Sequence, residues 1–480
     1  MGLGQEHTLT LSHLTFQLYK FVGLIFANGL CPKPQFQYWF EGQETEPLFG
    51  NDKFARAMDK HMGHRKSHRV SGKRRWKHFR RYFTMSDFRE NPKDSQRANP
   101  LWKVQTLIDE LNEQASRMWL PGKFVAIDEQ TIGFQGASGL KVRITYKREG
   151  DGFQCEAICD RGYTYAFWFR CAKPPEVPVG YKHYDLSPTA KRVVWLALQL
   201  PNRWTRIYMD NLFNSHKLFT ALYQAKALAH GVVRPHGRGV PPLIVQKEEK
   251  NVAQAEQLRG TTKAARLTDS QTCPDLLAAS VYETKPVHML STVSECVEWT
   301  VMRKKVWSEK EKRKAFVEFL RLNMIDDYNH HMNSVDIADQ LRGVYRPDHW
   351  MRNRKWWWAI WLWGLGVARA NAYKIYEVMY DEELKKNGPE GVPPRWTHIR
   401  FIEELVSDLM FPEETAKHLT LLKETDDSTF ASSVRSTRKF SVYGTNAPKV
   451  PCDLTNKTGR NEYLTAVKPS GITKVRLENG

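Results

Sequence analysis

The sequence predicts an α/β protein in which a mixed β-sheet is flanked by helices and preceded by an α-helical N-terminal region. Three observations support this fold class. Residues 10–120 carry apolar side chains at helical spacing. From residue 120 the pattern changes to short apolar or alternating runs between glycine-containing turns, which is typical of strands. After residue 185, strand-like and helical segments alternate, as in the crossover units of an α/β sheet.

Three helices are expected in the N-terminal region. The apolar segment 14–30 ends near Gly29 and Pro32, which stop a helix. Asn99-Pro100 is a helix-start signal, and apolar residues at helical spacing follow it. Between these two helices lies a basic helix with an apolar stripe formed by Trp76, Phe79 and Phe83.

Two of the predicted strands end on an aspartate. The apolar run 124–127 ends on Asp128 and predicts a buried strand, and the strand-like segment TRIYMD ends on Asp210. Two strands in a meander and a helix that begins at Ser187-Pro188 lie between them. The helix SHKLFTALYQAK and the short strand HGVVRP follow Asp210. Antiparallel strands that lead into crossover units make a mixed sheet.

The later segments are patterned less uniformly. Residues 234–275 are polar and weakly patterned, which predicts a surface excursion, whereas residues 276–293 alternate around a turn at Lys285-Pro286. The charged stretch SEKEKRKAFVEFLRL is expected to be exposed to solvent. Two helices, one carrying Asp336 and one rich in Trp, precede the linker KKNGPEGVPP. A short helix at 398–411 and a polar, basic tail complete the chain.

Composition restricts the classes of function. The chain has 480 residues, and 72 Lys and Arg against 53 Asp and Glu give a net charge of +19. This balance favours a polyanionic partner, nucleic acid first, although a soluble protein can be basic without one. Seven cysteines are too few and too irregular for a secreted disulfide framework, so a reducing compartment is expected. The apolar runs 21–30 and 356–368 are shorter than the roughly 20 residues of a membrane-spanning helix, so buried helices and no membrane partner are expected.

Three aspartates could form a metal site. Adjacent strands lie about 4.8 Å apart, so Asp128 and Asp210 could face one divalent ion. A carboxylate from the helix of Asp336 and Asp339, which are three residues apart and share a helix face, would complete a site for two Mg²⁺ or Mn²⁺ ions. Two such ions serve phosphoryl transfer. Each aspartate could instead form a turn or cap a helix, and the residues alone leave both interpretations open.

Five segments resemble motifs of the piggyBac-type transposases, in the same order. They are YW (38–39), FVAIDEQTIGF (124–134), IYMDNLFNS (207–215), YETKPVHMLST (282–292) and DYNHHMNSVDIADQ (327–340). Each motif is weak by itself, but five in order over residues 10–380 are specific. The fourth carries Glu283 where the family usually has Asp.

The resemblance implies an RNase H-like catalytic core with an insertion between the second and third aspartates. It implies a cut-and-paste DNA transposase that uses two Mg²⁺ (or Mn²⁺) ions. By position, Asp128, Asp210 and Asp336 would be the catalytic and metal-binding triad, with Asp339 as a supporting fourth carboxylate. The substrate would be double-stranded transposon-end DNA, which is nicked, closed into a hairpin by the freed 3′-hydroxyl and then joined to a target. A homodimer in the nucleus is expected.

The resemblance also divides the chain into functional regions. The expected regions are a helical dimerisation and DNA-binding region at 1–119, the two parts of the catalytic core at 120–225 and 321–385, the insertion domain at 226–320, and a linker with a basic, partly disordered tail at 386–480.

Three departures from the family pattern support an alternative function. Asn333-Ser334 replaces the usual Gly-Gly before the third aspartate, which changes the freedom of the turn without removing a ligand. Only Cys452 lies beyond residue 296, so the Cys/His-rich zinc module of the family and a structural zinc are not expected. The start MGLGQEH does not resemble the long acidic N-terminal region common in the family, so that region is not expected either. The alternative is a domesticated or degenerate transposase-derived DNA-binding protein without catalytic activity.

Two basic segments are candidates for contacts with the DNA backbone. Residues 64–81 hold nine Lys or Arg residues in eighteen positions, with aromatic residues between them. A solvated face or a nuclear-import signal would have the same composition. A second basic segment precedes the Trp-rich helix, whose rings are expected in the core. The candidate DNA-binding residues are Lys73, Arg74, Arg75, Lys77, Arg80, Arg81, Arg352, Arg354 and Lys355.

Other candidate metal sites are weaker. A histidine face at residues 61, 64 and 68 lies in a basic stretch with no carboxylate partner. Cys155, Cys159 and Cys171 do not have the spacing of a zinc site and are expected to be small core residues on strands.

Overall fold

The computed structural model describes residues 3–31, 72–86, 99–143, 150–237, 239–267, 272–293, 298–308, 311–347, 354–411 and 450–451. The helices are α1 (Leu3–Leu30), α2 (Gly72–Tyr82), α3 (Gln105–Met118), α4 (Pro188–Leu198), α5 (His216–Gln224), α6 (Val252–Leu258), α7 (Met324–His331), α8 (Ser334–Gly343), α9 (Trp356–Asn387) and α10 (His398–Met410). The strands are β1 (Trp119–Leu120), β2 (Phe124–Gly133), β3 (Val142–Arg143), β4 (Asp151–Asp160), β5 (Tyr163–Phe169), β6 (Thr205–Met209), β7 (Ala227–Val232), β8 (Thr262–Arg266), β9 (Leu277–Tyr282), β10 (Pro286–Ser291), β11 (Trp299–Ser308), β12 (Arg313–Leu322) and β13 (Val450–Pro451).

A nine-stranded mixed sheet is the central element. Its strand order is β3-β4-β2-β6-β7-β10-β9-β8, and β5 pairs with β4. The strands β2, β6 and β7 are parallel, whereas β5 is antiparallel to β4, and β10 is antiparallel to both β7 and β9. The predicted mixed sheet with flanking helices is therefore confirmed.

Two capped helices make the crossovers between the parallel strands. The Ser187 hydroxyl accepts a hydrogen bond from Ala190 N at the start of α4, and Ser215 does the same for Leu218 N at the start of α5. Both are N-caps that satisfy backbone donors left open in the first turn. The helix start predicted at Ser187-Pro188 is confirmed.

Two predicted boundaries are wrong. The helix predicted to begin at Asn99-Pro100 begins at Gln105, because the Asn99 side chain accepts a hydrogen bond from Leu101 N (2.9 Å) and holds residues 100–104 in turns. The strand predicted to end on Asp128 continues to Gly133. The polar residues Glu129 and Gln130 do not end it, since they are partly or wholly buried beside neighbouring elements.

Residues 226–320 contribute strands to the central sheet. Strands β7 to β10 extend it beyond β6, and β8 lies in the segment predicted to be a surface excursion. Strands β11 and β12 form a separate two-stranded ribbon that includes the charged stretch expected to be exposed. The functional boundaries of this region stay a prediction.

The chain divides into two compact units, made of residues 1–111, 132–153 and 340–448, and of residues 112–131, 154–339 and 449–480. An aromatic cluster forms a core in the first unit. The Phe21 ring of α1 lies 4.5 Å from the Trp76 ring, 5.2 Å from that of Phe79 and 6.1 Å from that of Trp361, between ring centroids. Of the predicted stripe, Trp76 is buried and Phe79 and Phe83 are half-buried, and the Phe83 ring lies 4.9 Å from that of Trp361 on the Trp-rich helix α9. None of the helices in the described ranges combines the length and apolarity that a bilayer crossing requires.

Candidate active site

Alternation along two parallel strands places two aspartates on one face of the sheet. Phe124 pairs with Arg206 and Ile127 with Met209, so Asp128 and Asp210 follow one step beyond the last registered pair. Because side chains alternate between faces, Asp128 shares its face with Phe124. The same argument puts Asp210 on the face of Arg206, whose guanidinium lies 5.3 Å from the Phe124 ring centroid. The two carboxylates are therefore neighbours across the β2–β6 pair.

The Asp128 carboxyl is half-buried, and its surroundings disfavour the ionised form. It accepts a hydrogen bond from Glu129 N (2.8 Å). Burial, opposed by this hydrogen bond and reinforced by the charges of Asp336 and then of Glu129 and Asp210, raises the pKa of Asp128 to about 6. Two of these negative charges are the other members of the predicted triad.

The Asp210 motif shapes the turn that follows β6. The Asp210 carboxylate accepts a hydrogen bond from Asn211 N (2.5 Å). The Asn214 amide donates to Met209 O (2.9 Å) and Val232 O (2.8 Å), which ties the ends of β6 and β7 together. A Cβ atom at Gly231 would lie 2.1 Å from Met209 O, so only glycine allows this approach.

Asp336 lies in the first turn of α8 and is exposed. The buried side chains of Val335 and Ala338 anchor that turn. The Ser334 hydroxyl accepts a hydrogen bond from Arg161 N (3.2 Å) in the β4–β5 turn, a contact that glycine could not make. Neither Asn333 nor Ser334 has a positive φ, so the backbone here does not require the glycines of the family pattern.

The fourth acidic position, Asp339, is half-buried. It lies one helical turn beyond Asp336 on α8, on the same face. Burial, opposed by the hydrogen bond with Thr164 and reinforced by the charges of Asp339, Asp160 and Asp128, raises the pKa of the Cys159 thiol. Asp339 and Asp128 thus both act on the same buried thiol of β4.

One buried phenol is influenced by the whole triad. The pKa of Tyr328 is raised first by burial and then by the charges of Asp210, Asp128 and Asp336. Within the described ranges, no three His, Cys, Asp or Glu side chains gather closely enough to hold an ion. The three carboxylates nevertheless have the chemistry that a hard divalent cation prefers, because all their donor atoms are oxygens. A bound cation would also relieve the repulsion between their negative charges.

Helix α7 covers the same face of the sheet below the aspartates. The Tyr208 hydroxyl donates to Asp327 Oδ2 (2.8 Å), and His230 Nε2 donates to Met324 O (2.8 Å). The His331 ring stacks on Phe124 at 4.1 Å between centroids. Burial lowers the pKa of His331 to about 4, so the ring is neutral near pH 7 and its 3.7 Å approach to Asp327 is not an ion pair.

These supporting residues were not predicted from the sequence. No motif in the sequence marks His331, Tyr208 or His230 as part of a site. The alternation of Arg206, Tyr208 and Asp210 on β6 was the available signal, since it places Tyr208 on the face of the aspartate.

Glu283, which replaces the usual Asp of the fourth motif, has a structural role. Its carboxylate pairs with Lys304 Nζ (2.8 Å) and with the buried Arg321 guanidinium. Arg321 also pairs with Asp326 at the start of α7. This network joins the β9–β10 turn to the ribbon and to the helix below the aspartates.

The candidate DNA-binding residues are only partly described. The side chains of Lys73, Arg74 and Arg75, the whole of Arg352, and the histidines at 61, 64 and 68 lie outside the described residues. Lys77, Arg81 and Arg354 are exposed and Arg80 is half-buried. Lys355 was expected to be available for a DNA phosphate. Instead, its Nζ donates hydrogen bonds to Arg81 O (3.0 Å) and Arg80 O (3.4 Å) at the end of α2.

The cysteines expected in the core are buried or partly buried. Cys155 and Cys159 on β4 are fully buried, and Cys171 is half-buried. All three are free thiols.

Comparison with known proteins identifies the family. Residues 12–373 match a family model described as Transposase IS4. The chain belongs to the piggyBac-type transposase family. This family member is 26% identical over 298 residues to the human PiggyBac transposable element-derived protein 3, a match that covers 58% of this chain and 44% of that protein. The chain is also 26% identical over 298 residues to the human chimeric ERCC6-PGBD3 protein, a match that covers 58% of this chain and 25% of that protein. The chain thus matches less than half the length of either relative.

A solved structure supports the fold. The cryo-EM structure of a piggyBac transposase synaptic complex with hairpin DNA superposes on this piggyBac-type chain with a TM-score of 0.58 and 19% sequence identity. The match covers 83% of this chain and 71% of the other. The fold predicted from the family resemblance is therefore confirmed.

Proposed function

We propose that this protein is a DNA transposase that cleaves and joins transposon-end DNA, with Asp128, Asp210 and Asp336 as its catalytic carboxylates. The observation that carries the proposal is electrostatic: the charges of Asp336 and Asp210 both raise the pKa of Asp128. Carboxylates from two parallel strands and one helix therefore act on one another. Perturbed acidic groups of this kind are typical of sites that bind cations or transfer protons.

Asp128, Asp210 and Asp336 would hold Mg²⁺ or Mn²⁺, which supplies Lewis acidity at the scissile phosphate and acidifies a bound water. The strands fix two of the ligands, and the Ser334–Arg161 hydrogen bond fixes the start of the helix that carries the third. Asp339 would add negative charge one turn further along α8. Tyr208, Asp327 and His331 would hold α7 on the sheet below.

The reaction would begin with attack of a water oxygen on phosphorus and release of a 3′-hydroxyl. That hydroxyl would attack a phosphate of the opposite strand, which closes the end into a hairpin and releases the flanking DNA. A second water would open the hairpin and regenerate the 3′-hydroxyl, which would then attack a phosphate of target DNA and release a target 3′-hydroxyl. The substrate would be duplex DNA held by the basic surfaces, in a homodimer acting in the nucleus. The net charge of +19 supports a polyanionic substrate.

A second candidate function is DNA binding without catalysis. It is favoured by the side-chain positions within the described residues, where no three potential ligands gather around one point. Both functions would use the basic surfaces to bind DNA. They differ only in whether the aspartates catalyse strand cleavage.

Single Asp→Asn substitutions at positions 128, 210 and 336 distinguish the two functions. Strand cleavage of the flanking repeats in Mg²⁺ should fall by at least about 100-fold in each variant, while DNA affinity stays equal or rises as negative charge is removed. Asp185→Asn is the matched control, because Asp185 is an exposed carboxylate in a left-handed conformation that Asn tolerates. Absence of metal-dependent nicking by the unaltered protein would leave only the binding function.

A further inference from the structure

The ribbon β11–β12 has one buried and one exposed face. On the buried face, Thr300, Val306 and Arg321 are at most 9% exposed. On the same face Lys304 pairs with Glu283, and Phe319 packs against Gly260. The register pairs Lys305 with Phe316 and Trp307 with Lys314, so these side chains project to the opposite face.

The exposed face combines large apolar side chains with cations. Its Trp299, Trp307, Phe316 and Leu320 are between 40% and 57% exposed. The cations Arg303, Lys305 and Lys314 alternate with them, and Glu318 is the one acidic side chain on this face in the described ribbon. The face therefore carries a net positive charge among exposed rings.

The spacing of this face suits an extended chain. Residues two apart on a strand are about 6.7 Å apart, and a ten-residue strand is about 33 Å long. Trp307 and Phe316 are diagonal neighbours across the ribbon, within about 8 Å of each other. The guanidinium of Arg303 lies 4.7 Å from the Phe316 ring centroid, and Lys305 Nζ lies 5.8 Å from it.

We propose that the exposed face of the β11–β12 ribbon binds single-stranded nucleic acid, with unpaired bases stacked on Trp307 and Phe316 and the phosphates held by Arg303, Lys305 and Lys314. Exposed aromatic rings flanked by cations are how proteins bind single strands without sequence preference. Bases inside a duplex are already stacked on one another and cannot reach these rings. Arg303 lies 3.7 Å from the Glu318 carboxylate, so these two charges offset each other and the face keeps the net charge of Lys305 and Lys314. A purely apolar partner would bury this net positive charge, which is costly.

The proposal does not depend on the aspartates. Binding is measured with the full-length protein in excess EDTA, where metal-dependent cleavage is silent, so this test can fail while the proposed transposase function stands. The probes are a labelled oligo-dT of about 15 nucleotides and a blunt duplex of the same length.

The double variant Trp307→Ala/Phe316→Ala should bind the single strand roughly tenfold or more weakly, because each lost stack weakens binding by that order. Its affinity for the duplex should be unchanged. Trp204→Ala is the matched control, since Trp204 is also exposed and has a cation, Lys226, over its ring. The control should bind both probes as the unaltered protein does.

A charge variant tests the phosphate contacts without removing rings. Lys305→Gln/Lys314→Gln should reduce the slope of log affinity against log salt for the single strand by about 0.7 for each cation. Both substitutions are on exposed side chains, so the thermal midpoint should not move. Three results would overturn the proposal: unchanged single-strand affinity in the ring variant, an equal loss for the duplex, or a change in oligomeric state, which would make this face a contact between copies.

Discussion

At the scale of single residues, Asp128 is an acidic side chain in the interior of strand β2. Its pKa is raised to about 6 by burial and by neighbouring carboxylates, so the ionised site is under electrostatic repulsion. A bound divalent cation would remove that repulsion and displace the proton. Metal binding should therefore be visible in the stability of the protein as well as in its activity.

In the metal experiment, Mn²⁺ or Mg²⁺ should raise the thermal midpoint of the unaltered protein at pH 7, because a ligand that binds only the folded state stabilises it. Asp128→Asn should raise the midpoint without metal, since it removes repulsion, and should abolish most of the metal-induced rise. Differential scanning calorimetry with and without the ion checks both effects. An equal metal-induced rise in Asp128→Asn and Asp185→Asn would contradict the assignment of Asp128 as a ligand.

Ser334 gives a second prediction at this scale. Its hydroxyl accepts from Arg161 N and is buried, so Ser334→Ala should reduce the free energy of unfolding by about 1–3 kcal/mol by leaving that donor unpaired. Ser334→Gly should not restore stability, because the φ at this position is not positive. Urea unfolding measures both variants, and a Gly variant as stable as the unaltered protein would show that the hydroxyl contributes nothing.

At the scale of elements, helix α7 is fixed to the sheet by polar and aromatic contacts instead of by aliphatic packing alone. His331 lies between Phe124 and Tyr208, and Asp327 accepts from the Tyr208 hydroxyl. Because the neutral His331 ring is the buried form, protonation of this residue opposes folding. The stability of the folded state is therefore coupled to pH through the contacts of α7.

The pH dependence of stability tests that coupling. The folded pKa of His331, about 4, is below its unfolded value of about 6.5, so the unfolded state binds more protons between these values. His331 should favour folding above pH 6.5, and this contribution should be lost as pH falls towards 4, by up to about 3 kcal/mol.

His331→Phe keeps the ring and removes the proton site, so its unfolding free energy should fall less than that of the unaltered protein over this range. The difference between the two proteins isolates His331 from Asp128, whose raised pKa acts in the opposite direction. His78→Phe, at an exposed position on α2, is the control. Parallel pH profiles for His331→Phe and the unaltered protein would refute the coupling.

At the scale of the whole molecule, charge dominates the expected behaviour with DNA. Neutralising phosphates releases counterions, so affinity falls as salt rises, in proportion to the number of cations in contact. The exposed cations on α2 are separated from the carboxylates in sequence and belong to a different compact unit. The proposed function would therefore place substrate binding and chemistry in different parts of the chain.

Neutralising Arg74, Arg75, Arg80 and Arg81 to Gln should weaken duplex binding and reduce the salt slope by about 0.9 for each cation in contact. Binding titrations at several salt concentrations measure this slope. Arg400→Gln is a control, since Arg400 is exposed on α10 and paired with Glu404. An unchanged slope in the fourfold variant would exclude α2 from the DNA contact.

Several elements could be predicted from the sequence because their signals are local. Ser187-Pro188 caps α4 as predicted, since an N-cap depends only on the neighbouring backbone. The start of α3 could not be predicted, because the Asn99 side chain holds a turn where Pro100 indicates a helix. The end of β2 could not be predicted either. A charged residue such as Glu129 usually follows the end of a buried strand, but here it pairs with Arg170 and the strand continues.

By itself, the sequence determined the mixed α/β fold, the family and the order of the acidic motifs, because periodicity, caps and motif spacing are properties of neighbouring residues. Only the tertiary structure decided what surrounds each carboxylate. The parallel register places Asp128 beside Asp210, the Ser334–Arg161 hydrogen bond fixes the helix of Asp336, and the same fold exposes one face of the β11–β12 ribbon. These depend on contacts between residues up to 173 positions apart, and burial and electrostatic coupling arise only once such residues meet.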